Sequence, residues 1–281
     1  MPPSDPRDRL FRDLFDLTGQ VAIVTGGLGR LGRGYLRTLA QAGASVVAID
    51  AGGSPAVVEA LARQGSQARA LTIDVTNRAA VSDAMARVAA EVGTPTILVN
   101  NAGPGSSPVD AGAENGRFED YPELAWDTMI DGHLKGSFFT SQAFVRAFRA
   151  GGARAGSIIN VSSTYGVVSP DQSIYEYRRR EGAVYFKPVG YSVAKSGVLN
   201  LTRWLAEYGG PLGIRANTLV PGGVREAEHH PEFVAEYERR TPLGRMADED
   251  DYNGAVLFLA SRASAYMTGA MLVVDGGWTA R

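Results

Sequence analysis

Residues 21–43 read VAIVTGGLGRLGRGYLRTLAQAG: a β-branched run, a glycine-rich turn, then a stretch with helical apolar spacing. Few folds accept a buried strand that turns through glycines straight into a helix. Gly26, Gly27, Gly29 and Gly32 permit a tight turn, close backbone approach and tight packing of the helix on the strand. Amides at the start of that helix would then face a pyrophosphate. Alone, such a cluster is equally an ordinary turn. A second run, SVVAID, strengthens the reading, because it ends in Asp50, 18 residues after Gly32. A carboxylate there can accept both hydroxyls of an adenosine ribose and repel a 2′-phosphate. The bland alternative is a solvated acid at a strand end. Arg30 pulls the other way, since a guanidinium could meet either a 2′-phosphate or the pyrophosphate. The balance favours NAD as cofactor over NADP.

The rest of the chain repeats the alternation. Strands are expected at 21–25, 45–50, 70–75, 96–101, 157–163, 214–220 and 271–276. Helices are expected near 31–42, 54–64, 77–92, 121–149, 190–208 and 247–262. This predicts an α/β fold: one Rossmann-type, doubly wound parallel sheet of about seven strands with helices on both faces. A flexible tail (1–17) would precede a single catalytic domain (18–281). The longest irregular stretches, 166–189 and 221–245, lie just beyond strand ends, where open α/β sheets bind ligands. They suggest a substrate-side insertion at 168–189 and a lid at 223–245.

Composition removes several classes of function. The chain of 281 residues has no cysteine, which excludes disulfides and thiolate chemistry. With only His133, His229 and His230, a histidine-rich metal centre is not expected, and no metal site is assigned. A net charge of −2 gives no basic field to gather nucleic acid. No apolar run approaches the roughly 20 residues needed to span a bilayer, and the charged opening lacks a signal-peptide core. A cytoplasmic protein is the expectation.

The stretch GYSVAKSG (190–197) sets Tyr191 and Lys195 four residues apart, on one helix face. A free phenol, with pKa near 10, is a poor base at neutral pH, and a nearby cation favours its ionised form. A Tyr–Lys pair at this spacing is common by chance, so the surrounding motifs decide. In order they are TGGLGRLG (25–32), DV (74–75), NNAG (100–103), SSTYG (162–166), YSVAK (191–195) and VPGG (220–223). In this order and spacing the chain resembles the short-chain dehydrogenase/reductase family from about residue 17 to 279. The SSTYGVV…IYE stretch is similar to a subgroup tied to bacterial sugar and sialic-acid-like pathways.

The resemblance implies a set of roles. Ser163, Tyr191 and Lys195 would be catalytic. Tyr191 would exchange the alcohol proton, Ser163 would hold the substrate oxygen, and Lys195 would also hold the nicotinamide ribose. Gly26, Arg30 and Leu31 would meet the dinucleotide beside Asp50. Asp74 and Val75 would border the adenine. Asn101, Ala102 and Gly103 would line the cleft, and Pro221, Gly222 and Val224 would hold the nicotinamide end. The implied activity interconverts a secondary alcohol and a ketone on a small polar substrate, such as a sugar or sugar derivative, in a homo-oligomer (tetramer or dimer). An NADP-linked ketoreductase of acyl or polyketide substrates is the alternative, and a non-catalytic nucleotide sensor is a more distant one.

Three departures stand out. Arg30 occupies a position where the family usually has glycine. His133 stands where the family has an asparagine that supports a water connecting the lysine to solvent; an imidazole titrating near neutrality could take that place, or could simply pack. Finally, 27 residues separate Ser163 from Tyr191, and the added segment 169–188 carries Arg178, Arg179, Arg180 and Lys187. These could meet a phosphate or carboxylate on the substrate, lie in solvent, or face another subunit. The small residues around Tyr191 are expected to leave space for cofactor and substrate.

Overall fold

The computed structural model describes residues 13–107 and 112–280. Seven strands form one sheet in the order β3-β2-β1-β4-β5-β6-β7. They are β1 Val21–Thr25, β2 Ser45–Asp50, β3 Ala68–Thr72, β4 Ile97–Asn100, β5 Gly156–Val161, β6 Ile214–Pro221 and β7 Met271–Val274. Every neighbouring pair is parallel. Strand order reverses between β1 and β4, so loops leaving their carboxyl ends diverge and open a crevice there. β1 and β4 are buried along their whole length, as a sheet covered on both faces requires. The edge strand β3 is mostly exposed, which explains how ARALT can carry an arginine.

Two apolar layers sandwich the sheet. One packs α1 (Arg30–Gln41) and α10 (Asn253–Ala260) against it, with Tyr35, Leu36, Leu39, Val256 and Leu259 fully enclosed. The other packs α3 (Arg78–Glu91), α5 (Gly136–Ala150) and α8 (Val189–Gly209) through Met85, Phe144, Phe148 and Leu205. The short helix α2 (Ala56–Arg63) covers the β3 end. Part of the expected tail (1–17) lies outside the described residues, but Leu17 is 2% exposed and belongs to the first layer. Residues 108–111 of the Gly/Pro/Ser loop also lie outside them.

The stretch expected as one helix from 121 to 149 is divided. α4 (Glu123–Met129) passes into a π-helical turn, Ile130–Lys135, and then into α5. Such turns commonly mark functional positions, and this one carries His133. The two irregular stretches also hold helices: α6 (Thr164–Val167) and α7 (Glu176–Arg180) in the first, α9 (Pro231–Arg240) in the second. The apolar residues of α7 and α9 pack into a cluster apart from the sheet, so sheet-based periodicity does not reveal them. Ile174, Tyr175, Tyr177 and Tyr185 of the first stretch pack with Phe233, Val234 and Tyr237 of the second in a third cluster. Among the described residues, no helix is long and apolar enough to cross a membrane.

Candidate active site

A cleft of about 940 Å³ opens at the carboxyl ends of β1, β2, β4, β5 and β6. Every expected site residue lines it: Ser163, Tyr191, Lys195, Gly26, Arg30, Leu31, Asp50, Asp74, Val75, Asn101, Ala102, Gly103, Pro221, Gly222 and Val224. Its floor is built by the glycine turn and NNAG together. Gly26 takes φ +60, the left-handed region that favours glycine. Its carbonyl accepts from Asn101 Nδ2 at 3.1 Å, and Asn101 Nδ2 also reaches the Thr25 carbonyl at 3.2 Å. Thr25 Oγ1 in turn accepts from the backbone N–H groups of Asn101 and Ala102. A side chain on Gly32 would strike the Gly26 carbonyl, so α1 can pack against the turn only with glycine at that position.

This cradle fits a dinucleotide. The backbone is bare where a pyrophosphate would lie, at the start of α1, and Asp50 sits at the end of β2 beside it. Asp50 accepts from the Leu28 and Gly52 N–H groups at 3.0 and 3.3 Å, which fixes the carboxylate at the cleft wall. Arg30 is already engaged: it pairs with Glu226 at 2.6 Å and with Glu249 at 3.6 Å. Asp74 caps its own turn, accepting from the Thr76 N–H and hydroxyl. The Gly222 carbonyl accepts from Tyr252 at 2.9 Å, and the Gly223 N–H donates to Tyr237 Oη at 2.6 Å. The mouth of β6 is thereby held open in a defined shape.

Ser163, Tyr191 and Lys195 converge deeper in the cleft. Ser163 caps α6, accepting from the Tyr165 N–H at 3.2 Å. Lys195 is 5% exposed, donates to the Val161 carbonyl at 2.8 Å, and sets its ammonium 5.9 Å from the centre of the Tyr191 ring. Burial pushes the Tyr191 phenol above its ordinary value, while hydrogen-bonding contact with Ser163 and Ser106 draws it partly back. Burial also brings Lys195 down to about 7. The simple picture of a phenol acidified by a permanent cation therefore needs correction, because in the free protein desolvation opposes charge on both partners.

The small residues around Tyr191 also serve a different purpose from the one expected. A side chain at Gly190 would meet Tyr121 and Met129, and one at Gly197 would meet Leu134. A side chain at Gly166 would meet Ser162 Oγ and the Lys195 carbonyl. These glycines bring α8 close to α4, the π-helical turn and α6; they do not clear space for a ligand.

His133 lies edge-on to Tyr191, with ring centres 5.3 Å apart, and is 4% exposed. Neither ring nitrogen has a hydrogen-bond partner among the described residues. Burial, and after it the Lys195 charge, holds its pKa well below the usual histidine value. This disfavours a relay that depends on protonating the ring near neutrality. The ring also explains a glycine: any side chain at Gly103 would collide with it.

The arginines of the insertion do not reach the cleft. Arg179 pairs with Glu176, Arg180 pairs with Glu232, and Arg178 lies over the Tyr185 ring. Lys187 does reach it: its ammonium bonds the carbonyl and hydroxyl of Ser106 and sits 4.9 Å from the Tyr191 ring centre. Glu226, Ser106 and Tyr237 also line the cleft, and no sequence pattern singles them out. Ser106 and Glu226 sit in irregular sequence without periodicity, so only spatial contact reveals them. A buried polar chain underlies the site: Thr140 donates to Asn100, Asn100 to Asn160, and Asn160 to Thr202. Each amide has partners, as a rigid buried network demands.

The two enclosed lysines predict a pH dependence of stability. Burial lowers both Lys187 and Lys195 from 10.5 to about 7. Between those values the unfolded chain holds protons that the folded chain has released, so their contribution to stability rises with pH across that window. Denaturant midpoints measured from neutral to alkaline pH are expected to rise less steeply for Lys195→Met than for the parent protein. A steeper rise in the variant would contradict this.

Comparison with known proteins agrees with this geometry. The family model described as Enoyl-(Acyl carrier protein) reductase matches residues 30–279. The chain is 33% identical to 2-dehydro-3-deoxy-D-gluconate 5-dehydrogenase of Escherichia coli, covering 95% of this chain and 98% of that one. It is 34% identical to galactitol 2-dehydrogenase of Rhizobium johnstonii, with 96% and 98% covered. Among solved structures it is similar to a gluconate 5-dehydrogenase from Burkholderia cenocepacia in complex with NADP and tartrate (TM-score 0.81, 30% identity, 96% and 99% covered). With the parallel sheet, the glycine cradle and the Ser–Tyr–Lys convergence in place, the chain belongs to the short-chain dehydrogenase/reductase family of NAD(P)-dependent oxidoreductases acting on CH–OH groups.

Proposed function

We propose that this protein oxidises a secondary alcohol of a sugar or sugar derivative to a ketone, and catalyses the reverse reduction, with NAD as its preferred cofactor. The observation that carries the reading is the convergence of Ser163, Tyr191 and Lys195 at the inner end of a cleft whose outer end is the glycine turn and Asp50. When bound, the nicotinamide supplies the hydride acceptor and, in its oxidised form, a positive charge. The chain supplies the proton chemistry and the positioning. Tyr191 Oη takes the carbinol proton, and on reduction it returns that proton to the new alkoxide. Ser163 Oγ donates to the substrate oxygen and holds it against the phenol. Lys195, anchored on the Val161 carbonyl, presents its ammonium beside the phenol, where positive charge favours phenolate.

Two observations support NAD over NADP. Asp50 sets a carboxylate at the β2 end of the cleft, where it would repel a 2′-phosphate, and Arg30, a cation lining that end, is committed to Glu226 and Glu249. Sugar-type substrates are supported by the named activities of the relatives and by a cleft rich in hydroxyl and charged groups. Self-association is part of the reading, since Trp204, Tyr208, Leu243 and Phe118 are large apolar residues left exposed.

A panel of sugars, polyols and hydroxy acids, assayed with each cofactor by absorbance of the reduced nicotinamide, tests the proposal. Turnover is expected with NAD. Asp50→Asn keeps the shape and the acceptor for Leu28 but loses the charge. It is expected to shift the NAD/NADP ratio of kcat/KM toward NADP by about tenfold or more, since like-charge juxtaposition is costly. An unmoved ratio would remove Asp50 from cofactor selection.

A further inference from the structure

Among the described residues, Lys187 is a charge without a counterion. It is half-buried as a residue, and its ammonium end is enclosed by protein. Its neighbours are the carbonyl and hydroxyl of Ser106 and the rings of Tyr191 and Tyr165, at 4.9 and 5.7 Å from the ammonium. No carboxylate lies within ion-pair distance of it among the described residues. Glu226 is the acid that acts on it electrostatically, but one Glu226 oxygen is held by Arg30 and the other by the Ser107 hydroxyl. By contrast, Arg179, Arg180 and Arg240, which brace the insertion and the lid, each have an acid partner. An enclosed ammonium is costly unless an anion joins it.

The insertion is built to keep that ammonium in place. The Lys187 N–H donates to Gln172 Oε1 at 2.9 Å, and the adjoining Phe186 exchanges backbone and side-chain hydrogen bonds with Asn115. Arg240 on α9 reaches Asp171 and Ser173 at the start of the insertion. The aromatic cluster of Tyr175, Tyr185 and Phe233 then locks insertion to lid. Lys187 is thus held against the phenol by two elements at once.

We propose that Lys187 selects the substrate: it binds a carboxylate a few bonds from the reacting carbinol, so the natural substrate is a sugar acid or related hydroxy acid and not a neutral polyol. The proposal rests on the dehydrogenase reading and sharpens it. One ammonium plus the Ser106 hydroxyl suits a monoanion; a phosphate dianion would call for more donors than the site offers. An anion bound there also keeps the ammonium protonated against the effect of burial.

The test compares sugar acids, neutral polyols of the same chain length and the corresponding phosphate esters as substrates of the parent protein, Lys187→Met and Lys187→Arg. The parent is expected to prefer carboxylates. Lys187→Met should raise KM for them by about 10- to 100-fold, the loss of a charge-assisted hydrogen bond. The KM for polyols should rise far less, because any change that comes from losing a cation 4.9 Å from the Tyr191 ring falls on both substrate classes alike, and Lys187→Arg should recover part of the loss that is specific to acids. Equal KM increases for acids and polyols would show a merely structural lysine and overturn the proposal, as would a parental preference for polyols or for phosphate esters. Absence of turnover with every alcohol would instead sink the dehydrogenase reading, and this proposal with it. Should Lys187→Met fail to fold, inhibition of the parent protein decides: tartrate is expected to compete with substrate and threitol, its neutral counterpart, is not, whereas equal inhibition would overturn the assignment.

Discussion

Tyr191→Phe is expected to lower kcat by about 10²- to 10⁴-fold, the range ascribed to a well-placed general acid–base group, while leaving the fold and dinucleotide affinity intact. The substitution deletes one oxygen and keeps the ring, so the edge-on contact with His133 at 5.3 Å survives. Lys195 remains on the Val161 carbonyl, and Ser163 remains at the start of α6. What disappears is the group proposed to accept the carbinol proton. The other phenols that line the cleft are poorly suited to replace it: burial holds Tyr165 and Tyr175 well above their ordinary value, and the same effect raises Tyr237 to about 12 with its hydroxyl occupied by the Gly223 N–H. Steady-state assays together with a dinucleotide titration check this. Parental kcat in the variant would place the proton transfer elsewhere.

Gly32→Ala is expected to cost about 1–3 kcal/mol of stability, the usual penalty of overpacking, and to weaken dinucleotide binding by about tenfold or more, equivalent to at least ~1.4 kcal/mol. The added methyl would lie 2.1 Å from the Gly26 carbonyl oxygen and 2.7 Å from Gly27 Cα. Both are backbone atoms, so no side chain can swing aside. The turn would have to open, and the Gly26 carbonyl is the atom on which Asn101 is hung. Retreat on the other side is blocked as well, because Gly26 already lies close against Ala102. Gly254→Ala is the control, since nothing lies within 4 Å of its added methyl and α10 gains a better helix former. Denaturant unfolding and dinucleotide titration of the two variants give the comparison. Equal behaviour would show that the turn is not sterically committed.

Much of this architecture was legible in the sequence, and the reasons are local. β1, β2, β4, β5 and β6 are buried β-branched runs next to helices of clear period, so their existence could be read directly. The third strand is displaced to Ala68–Thr72 because the Asp74 side chain turns the chain at Thr76. Positions fixed by backbone chemistry, such as Gly26, Asn101 and Asp50, also declared themselves. The stretches 168–189 and 223–245 stood out as irregular, but the helices inside them did not show, because their apolar faces are satisfied by each other through Tyr175, Tyr185 and Phe233. The distinction between Lys187 and the neighbouring arginines lies in which acids stand nearby, and that is decided by tertiary contact. The same holds for His133: its residue type suggests titration near neutrality, and its burial pushes its pKa well below that range.

The central claim is that the Tyr191 phenol works on an alcohol placed between it and a dinucleotide laid along the glycine turn. A crystal structure of the protein with bound NAD tests that arrangement directly. The expected result has the adenosine ribose at Asp50, the pyrophosphate at the start of α1, and the nicotinamide ring facing Tyr191 across the space beside Ser163. A nicotinamide ring bound away from Tyr191 would contradict the account.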